Sequence, residues 1–226
     1  MYNSISFKAN FIDIAVIKQN NVPHIASFVE LDTKSKNDKE LIKKISSEWD
    51  EFAHSNLKVR FNEANYDKND LLEKQSSIIN SIKDDFLLTH PEFKKHFYAI
   101  TTQHKNFNNL SSNSILGIVE VNPLSNEEYL FIEYMKTNPK YAFPNRKRYT
   151  NVGKAIINEI KKRYNKDISL YALKSVYNFY LKNGFNFYKN NDKEVNSAIH
   201  EMRLSKKSFF PTSFKFKKIF PLKLFI

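Results

Sequence analysis

LFIEYMKTNP at residues 130–139 and RYTNVGKAIINEI at residues 148–160 carry most of the information in this chain. The first is rich in aromatic and β-branched residues, as strands are, and the second has apolar residues at helical spacing. ISLYAL at 168–173 follows as a further strand, and YNFYLKNGF at 177–185 as a short helix that ends at a glycine. The other segments are interpreted by what they add to this strand, basic turn, helix, strand and helix.

The turn at residues 148–155 predicts an anion site. The first amides of a helix have no partner within it, and the helix dipole makes that end electropositive. Asn151 can take the left-handed conformation that a glycine otherwise supplies, Gly153 lets a ligand approach closely, and Arg148 adds charge. The chain has no Gly-Lys-Ser/Thr P-loop and no G-x-G-x-x-G dinucleotide fingerprint. The turn therefore favours a phosphate-bearing ligand of another class.

Composition excludes several classes of protein. Of 226 residues, 41% are hydrophobic and 15% aromatic, which indicates a globular chain. The absence of cysteine excludes disulfides, thiolate chemistry and cysteine-ligated metals. MYNSISFKAN lacks the pattern of a signal peptide, and no apolar run is long enough to span a bilayer. We expect a cytoplasmic protein, and the abundance of Lys and Asn favours a low-GC bacterium, with export as an effector as the alternative.

The net charge of +12 is concentrated in two places. Residues 140–166 hold nine Lys or Arg against one acid, and residues 206–226 hold six Lys and no acid. The first indicates an anionic ligand, and the second indicates nucleic acid, a membrane or a partner; a solvated basic surface is the alternative for both. The six histidines show no metal-ligand spacing, so no metal is predicted.

The first hundred residues predict a strand and several helices. Residues 9–18 (ANFIDIAVIK) alternate as a strand. Asn20-Asn21 offers an N-cap, and VPHIASFVEL at 22–31 is predicted as a short helix. Residues 37–90 carry two apolar helical faces separated by a polar break at 62–70, which predicts a helical pair.

The remaining segments predict a mixed α+β fold. HFYAITTQ, SILGIVEVNP and EYLFIEYMKT, from His96 onward, predict three antiparallel neighbours. FNFYKNN and AIHEMRLSK predict two last strands. We expect a mostly antiparallel twisted sheet of about seven strands flanked by helices, in one domain over residues 1–205, followed by a basic aromatic tail over 206–226.

The motifs around the turn resemble those of the GNAT superfamily of acetyl-CoA-dependent N-acetyltransferases. The family's phosphate turn, Arg/Gln-x-x-Gly-x-Gly/Ala, is matched by Arg148-x-x-Asn151-x-Gly153, with asparagine in place of the first glycine. Thr137-Asn138-Pro139 resembles the Val-x-Pro that ends the family's fourth strand. FYLKNGF at 179–185 resembles the family's FY-x-K-x-GF.

The resemblance covers residues 9–205 and has two departures. Leu173 stands where the family usually has an asparagine seven residues before the tyrosine. Residues 37–90 are longer than the family's usual second helix, and we expect them to wall the acceptor side. The three glycines, Gly117, Gly153 and Gly184, all stand at positions that the family leads one to expect.

The resemblance implies a GNAT-like fold in which acetyl-CoA binds in a splay between the fourth and fifth strands and gives its acetyl group directly to an amine. It implies that Tyr180 protonates the departing thiolate. Glu133 is the candidate for drawing the proton off the amine, with Glu120 and Glu128 as rivals. The residues expected to contact CoA through the strand edge, the turn and the next helix are Met135, Lys136, Thr137, Arg148, Tyr149, Thr150, Asn151, Val152, Gly153, Lys154, Ala155 and Tyr177.

The amine acceptor is left open by the sequence. A protein, an aminoacyl-tRNA and a small amine are the alternatives, and the strongly cationic chain favours an acidic protein or an RNA-linked amine over a polyamine. A function of another class is a scaffold that has lost catalysis and serves as a CoA-sensing or nucleic-acid-binding module. A homodimer and membrane contact through the tail stay open as well.

Overall fold

A computed structural model describes residues 9–60, 68–89, 94–123, 129–142, 148–188 and 199–206. Their strands are β1 (Asn10–Gln19), β2 (Val22–Leu31), β3 (His96–Thr101), β4 (Ile115–Asn122), β5 (Tyr129–Thr137), β6 (Tyr149–Thr150), β7 (Asp167–Leu173), β8 (Asn186–Phe187) and β9 (Ile199–Leu204). Their helices are α1 (Lys36–Arg60), α2 (Lys68–Leu88), α3 (Pro139–Ala142), α4 (Val152–Tyr164) and α5 (Tyr177–Lys182). The tail at 207–226 lies outside the described residues, as do residues 1–8.

The α+β class is confirmed, and the sheet has nine strands where about seven were predicted. The strand order is β6-β1-β2-β3-β4-β5-β7-β9-β8. All neighbouring pairs are antiparallel except β5 and β7, which run parallel. The two strands that the sequence did not predict are β2 and β6. Among the described helices, none has the length and apolar character needed to cross a membrane.

The predicted helix at residues 22–31 is wrong, because this segment is strand β2. Asn20 and Asn21 have φ angles of 50° and 66°, and Gln19 pairs with Val22 across them. Two left-handed residues between paired strands make the tight hairpin turn that asparagine favours. The middle of β2 is buried on both faces, so its apolar residues run on without alternation and resemble a helical segment.

Each face of the sheet carries its own buried cluster. Val119 and Val121 of β4 point to the face covered by α4, and Ile118, the residue before Val119, points to the face covered by α1 and α2. The helical pair predicted over residues 37–90 is confirmed, and the Ser46 hydroxyl donates to Asn80 Oδ1 at 2.8 Å to link the two helices. Each fully buried isoleucine of these clusters stabilises the fold by roughly 1.5–3 kcal/mol.

Gly117 of β4 sets how closely α4 approaches the sheet. A Cβ atom at this position would lie 3.0 Å from Val152 Cγ1 and 3.0 Å from Ile156 Cδ1. Only glycine leaves room for the helix at that depth. Gly117 pairs with Thr137 at the end of β5, so the close approach brings the first turn of α4 next to that strand end.

Candidate functional site

The parallel strands β5 and β7 separate part-way along their length. They pair only as far as Ile132 opposite Leu170. β5 then continues to Thr137 and β7 to Leu173, with no further ladder between them in the part of the chain that the structure describes. A slot therefore opens between the two strands. An extended ligand can continue the ladder along the β5 edge, in the manner of strand addition.

A β-bulge stands where the slot begins. Val121 of β4 pairs with Ile132 of β5, and the next residue back, Glu120, pairs with Tyr134, so Glu133 is the extra residue on β5. A bulge bends its strand and increases the local twist. The bend at Glu133 accounts for the separation of β5 from β7 one residue beyond their last pair.

The N-terminus of α4 presents uncapped amides at the same end of the sheet. The first helical hydrogen bond runs from the Ala155 amide to the Asn151 carbonyl at 2.9 Å. The amides of Val152, Gly153 and Lys154 have no earlier helical carbonyl to bind, and the Asn151 side chain does not cap them. These three amides suit an anion, whereas the Ala155 amide is already used within the helix.

Asn151 adopts the left-handed conformation that the sequence predicted. Its φ and ψ are 64° and 12°, and its side chain is exposed. Asparagine visits this region at lower cost than other residues with a Cβ atom. The asparagine in place of the family's first glycine is therefore compatible with the backbone of the turn.

The residues before Asn151 are fixed to the far edge of the sheet. Tyr149 and Thr150 form β6, which pairs with the end of β1. The amide of Asn20, in the β1–β2 turn, donates to the Arg148 carbonyl at 2.8 Å. The Arg148 guanidinium is exposed and lies 5.4 Å from the centre of the Tyr149 ring. The hairpin that the sequence misassigned thus positions the basic residue of the turn.

The structure gives a different reason for Gly153 than the sequence did. A Cβ atom here would lie 2.9 Å from Cζ of Phe179. The absent side chain makes room for this α5 ring. Gly153 therefore couples the first turn of α4 to the helix that carries Tyr180.

α5 ends in a Schellman motif that fixes Tyr180. The amide of Phe185 donates to the Tyr180 carbonyl at 3.1 Å, and that of Gly184 donates to Leu181 at 3.0 Å. Gly184 has a φ of 88°, which a glycine adopts without strain. The rings of Tyr180 and Phe185 meet edge to face at 5.4 Å, which adds the hydrophobic contact typical of this motif.

The hydroxyl of Tyr180 is available to donate a hydrogen bond. The side chain is buried, and burial raises its pKa to about 12. Among the described residues, no group is hydrogen-bonded to this hydroxyl. A phenol with this pKa stays protonated at neutral pH and keeps its proton for an incoming acceptor.

Tyr177, predicted to contact CoA, lies in an aromatic group on the outer side of α5. Its ring meets Phe187 at 5.2 Å and His200 at 5.3 Å, both edge to face. Its hydroxyl is buried without a hydrogen-bond partner, and burial raises its pKa. The described residues therefore leave one donor at this position for a ligand to satisfy.

The rival carboxylates differ in their access to the slot. Glu133, in the bulge, is half-buried and accepts from the Asn122 amide at 3.2 Å. Glu120 is fully buried, and its Oε1 accepts from Lys95 at 2.7 Å while its Oε2 has no partner. Burial raises the pKa of Glu120 to about 8. Only Glu133 combines access with a place at the slot; Glu128 lies outside the described residues.

The predicted strand-edge residues Met135, Lys136 and Thr137 occupy the free end of β5. Met135 packs against the cluster beneath α4, whereas Lys136, next along the strand, points to the opposite face. Burial lowers the pKa of Lys136 to about 8. Their shared feature is the backbone edge that faces the slot. In the described chain, no group of three or more metal-ligating side chains is found.

The arrangement therefore joins an open strand edge, a bulge that carries a carboxylate, and a bare helix N-terminus next to the end of that strand. A slender ligand with an anionic end can lie along β5 with the anion on α4. The splayed parallel pair after an antiparallel meander is the topology that the resemblance implies. The chain has a GNAT-type fold.

No family model and no curated protein matches the chain. Among solved structures, the PaiA N-acetyltransferase of Thermoplasma acidophilum, in complex with coenzyme A, is 12% identical over 80% of this chain and 98% of its own, with a TM-score of 0.45. A chimera of the spermidine N-acetyltransferase SpeG from Vibrio cholerae and hSSAT is 11% identical, with coverages of 81% and 97% and a TM-score of 0.49.

A putative acetyltransferase of the GNAT family from Desulfovibrio desulfuricans is 12% identical, with coverages of 80% and 99% and a TM-score of 0.46. All three TM-scores are below 0.5 and all three identities are low.

Sequence reasoning missed three features that build the site. The β5 bulge, the contact of Phe179 with Gly153 and the pairing of β6 with β1 have no local signature, because each depends on a partner distant in the chain. One signal was available for the hairpin. An Asn-Asn pair between two segments rich in β-branched residues is a turn signal as well as a helix cap.

Proposed function

We propose that the protein is an acetyl-CoA-dependent N-acetyltransferase. The observation that carries the proposal is the coincidence of three features: the ladder between β5 and β7 stops at Ile132, the bulge puts Glu133 at that point, and the bare amides of α4 lie next to the far end of the free edge. A cofactor with a pyrophosphate and a long amide-containing arm matches this spacing of anion site and strand edge.

The residues that would hold acetyl-CoA follow from the geometry. The amides of Val152, Gly153 and Lys154 would bind phosphate oxygens, and Arg148 would add charge from the exposed side of the turn. The β5 backbone at residues 135–137 would pair with the amides of the pantetheine arm. The thioester would then lie toward the bulge.

The reaction needs little beyond placement and two polar groups. The neutral amine nitrogen attacks the thioester carbonyl carbon, the C–S bond breaks, and the acetyl group becomes an amide. Glu133, directly or through a water molecule, takes the proton that the amine loses. Tyr180 donates a hydrogen bond to the departing sulfur. Its pKa of about 12 lies above that of a thiol, near 8.5, so the phenol stabilises the departing thiolate by a hydrogen bond and keeps its own proton, and the thiolate takes its proton from solvent.

Tyr180→Phe tests the proposal. We expect the variant to lose roughly a hundredfold in kcat for acetyl transfer, because one donor to the developing charge is removed. CoA binding, followed by thermal shift, should persist because the anion site is untouched. The matched control is Tyr164→Phe, which removes a hydroxyl from the last turn of α4, at the opposite end of the helix from the anion site.

Two outcomes would count against the proposal. If CoA leaves the melting temperature of the wild-type protein unchanged, the proposed cofactor site is contradicted. A protein that binds CoA and shows no transfer to any amine in a broad panel would instead support the CoA-sensing module.

A further inference from the structure

The face of the sheet that carries α1 and α2 is covered on only part of its width. The buried cluster beneath these helices draws on β2, β3 and β4, with the partly buried Tyr134 of β5 packed against it, and in the described residues it includes no side chain of β7 or β9. Tyr171 of β7 and Ile199 of β9 are accordingly 62% and 51% exposed. β7 lies between β5 and β9 in the sheet, so an exposed aromatic ring one residue beyond its last pair with β5 is unusual.

Strand register places Tyr171 beside the mouth of the slot. The last pair of the β5–β7 ladder is Ile132 with Leu170, so Tyr171 and Glu133 are the next residues on their strands. On the other side, Tyr171 pairs directly with Glu201 of β9. Its flanking residues Leu170 and Ala172 are buried toward α4, which leaves the Tyr171 ring on the open face.

The surroundings of Tyr171 suit a cation. The face of an aromatic ring attracts an ammonium group, and carboxylates at its border strengthen the attraction. The rings of Phe131 and Tyr171 are inclined at 62° with centres 5.4 Å apart, so the two rings are in contact but not stacked. The carboxylates of Glu133 and Glu201 lie on either side along the register.

The local charge differs in sign from that of the whole chain. Among the described residues, the basic side chain that contacts Glu201 is Arg203, which donates to it at 2.8 Å and lies over the rings of Tyr129 and Tyr188 at 4.7 and 3.2 Å. The rings of Tyr129 and Tyr188 thus fix the position of the Arg203 guanidinium. Glu133 accepts a hydrogen bond from the neutral side-chain amide of Asn122 at 3.2 Å.

We propose that Tyr171 determines acceptor specificity and that the acceptor is a small diamine or polyamine. One amine would enter the slot at Glu133, and a second ammonium group would rest on the Tyr171 ring toward Glu201. Neighbouring strands are about 4.8 Å apart, so the two carboxylates lie roughly 10 Å apart or more across Tyr171, a span that an extended diamine can bridge. The inference rests on the proposed acetyl transfer and replaces the preference for acidic or RNA-linked acceptors drawn from net charge.

The test compares two acceptors of equal length, 1,5-diaminopentane and 1-aminopentane. With wild type we expect kcat/KM to be at least tenfold higher for the diamine. Tyr171→Ala should raise KM for the diamine roughly three- to thirtyfold, the range of a cation–π contact, and leave kcat nearly unchanged. Tyr171→Phe should restore the diamine KM because it keeps the ring. Phe11→Ala, another exposed aromatic on a distant strand, is the matched control.

Calorimetry of the same two amines binding to the CoA-loaded protein tests the proposed acceptor site without requiring acetyl transfer. Tighter binding of the diamine that is lost in Tyr171→Ala supports the inference even if no acetyl transfer occurs, in which case the failure belongs to the proposed catalysis. Equal binding of both amines, or a Tyr171→Ala variant that matches wild type, overturns it. A variant that also loses its CoA thermal shift has lost the fold, and Tyr171→Phe then supplies the comparison.

Discussion

Asn151 is the residue on which the cofactor turn depends. It occupies the left-handed region where the related motif has glycine, and it does so without using its side chain as a cap. The amides that follow it therefore stay available, whereas a capping side chain would have satisfied one of them. The asparagine thus keeps the backbone shape of a glycine turn in a chain with only three glycines.

Substitution of Asn151 tests this role. We expect Asn151→Val to lower the free energy of unfolding by about 1–2 kcal/mol, because a β-branched residue is strained at φ 64°. CoA affinity should fall with it. Asn151→Gly should keep both properties within about 0.5 kcal/mol, since glycine pays no strain there and gains only chain entropy on unfolding. Denaturant unfolding and a CoA titration measure the two effects; equal stability of the valine variant would contradict the account.

At the residue scale, the sequence predicted where the residues of the turn lie better than it predicted why each residue is needed there. The spacing of Arg148, Asn151 and Gly153 located the turn, and asparagine chemistry predicted its left-handed residue. The purpose of Gly153 could not be read from the sequence, because the atom that requires it belongs to Phe179, in another helix. Likewise, strand alternation did not show that Glu120 is sealed while Glu133 is accessible, since a bulge shifts the alternation.

At the scale of elements, the β1–β2 hairpin organises the turn from a distance. Its Asn20-Asn21 turn binds the Arg148 carbonyl, and its first strand pairs with β6. The sequence predicted strand β1 and assigned β2 to a helix, because a strand buried on both faces has no period of two. The remaining long elements, with clear apolar periodicity and flanking breakers, were predicted with nearly the correct bounds.

Two asparagine-to-glycine changes test the hairpin assignment. Asn21→Gly should raise the free energy of unfolding by roughly 0.5–1 kcal/mol, because Asn-Gly is the preferred pair for this turn and φ at position 21 is already 66°. Asn158→Gly is the control of opposite sign, since this exposed residue lies inside α4 and should lower stability by a similar amount. A loss of stability on Asn21→Gly would show that the hairpin turn is misassigned. Chemical denaturation distinguishes the two signs.

At the scale of the whole molecule, the helical pair is tied to the sheet by a buried charged group. Lys95 donates to Asp85 of α2 at 2.6 Å and to Glu120 of β4 at 2.7 Å. Two carboxylates share one ammonium, and Oε2 of Glu120 is left without a donor. This link fixes α2 to β4, and it carries a penalty because a buried carboxylate oxygen without a partner costs about 1–3 kcal/mol.

This group makes the stability of the protein depend on pH. Burial raises the pKa of Glu120 from an ordinary 4.5 to about 8 in the folded state. A raised pKa means that the folded protein holds the proton more tightly, so the contribution is complete below pH 4.5 and is lost as the pH rises through about 8. We therefore expect the free energy of unfolding to fall between pH 5 and pH 8 by roughly 2–4 kcal/mol from this residue.

Glu120→Gln isolates that contribution, because glutamine keeps the shape and cannot ionise. The variant should lose most of the decline in stability between pH 5 and pH 8, while Glu40→Gln, an exposed residue on α1, should keep the wild-type slope. Asp38, whose pKa burial raises to about 6, titrates in all three proteins and cancels in the difference. Acetyl transfer should survive Glu120→Gln and fall in Glu133→Gln, since only Glu133 reaches the slot. Wild-type stability that is flat over this range would contradict the assignment, and loss of activity in Glu120→Gln with an intact melting temperature would make Glu120 the base instead.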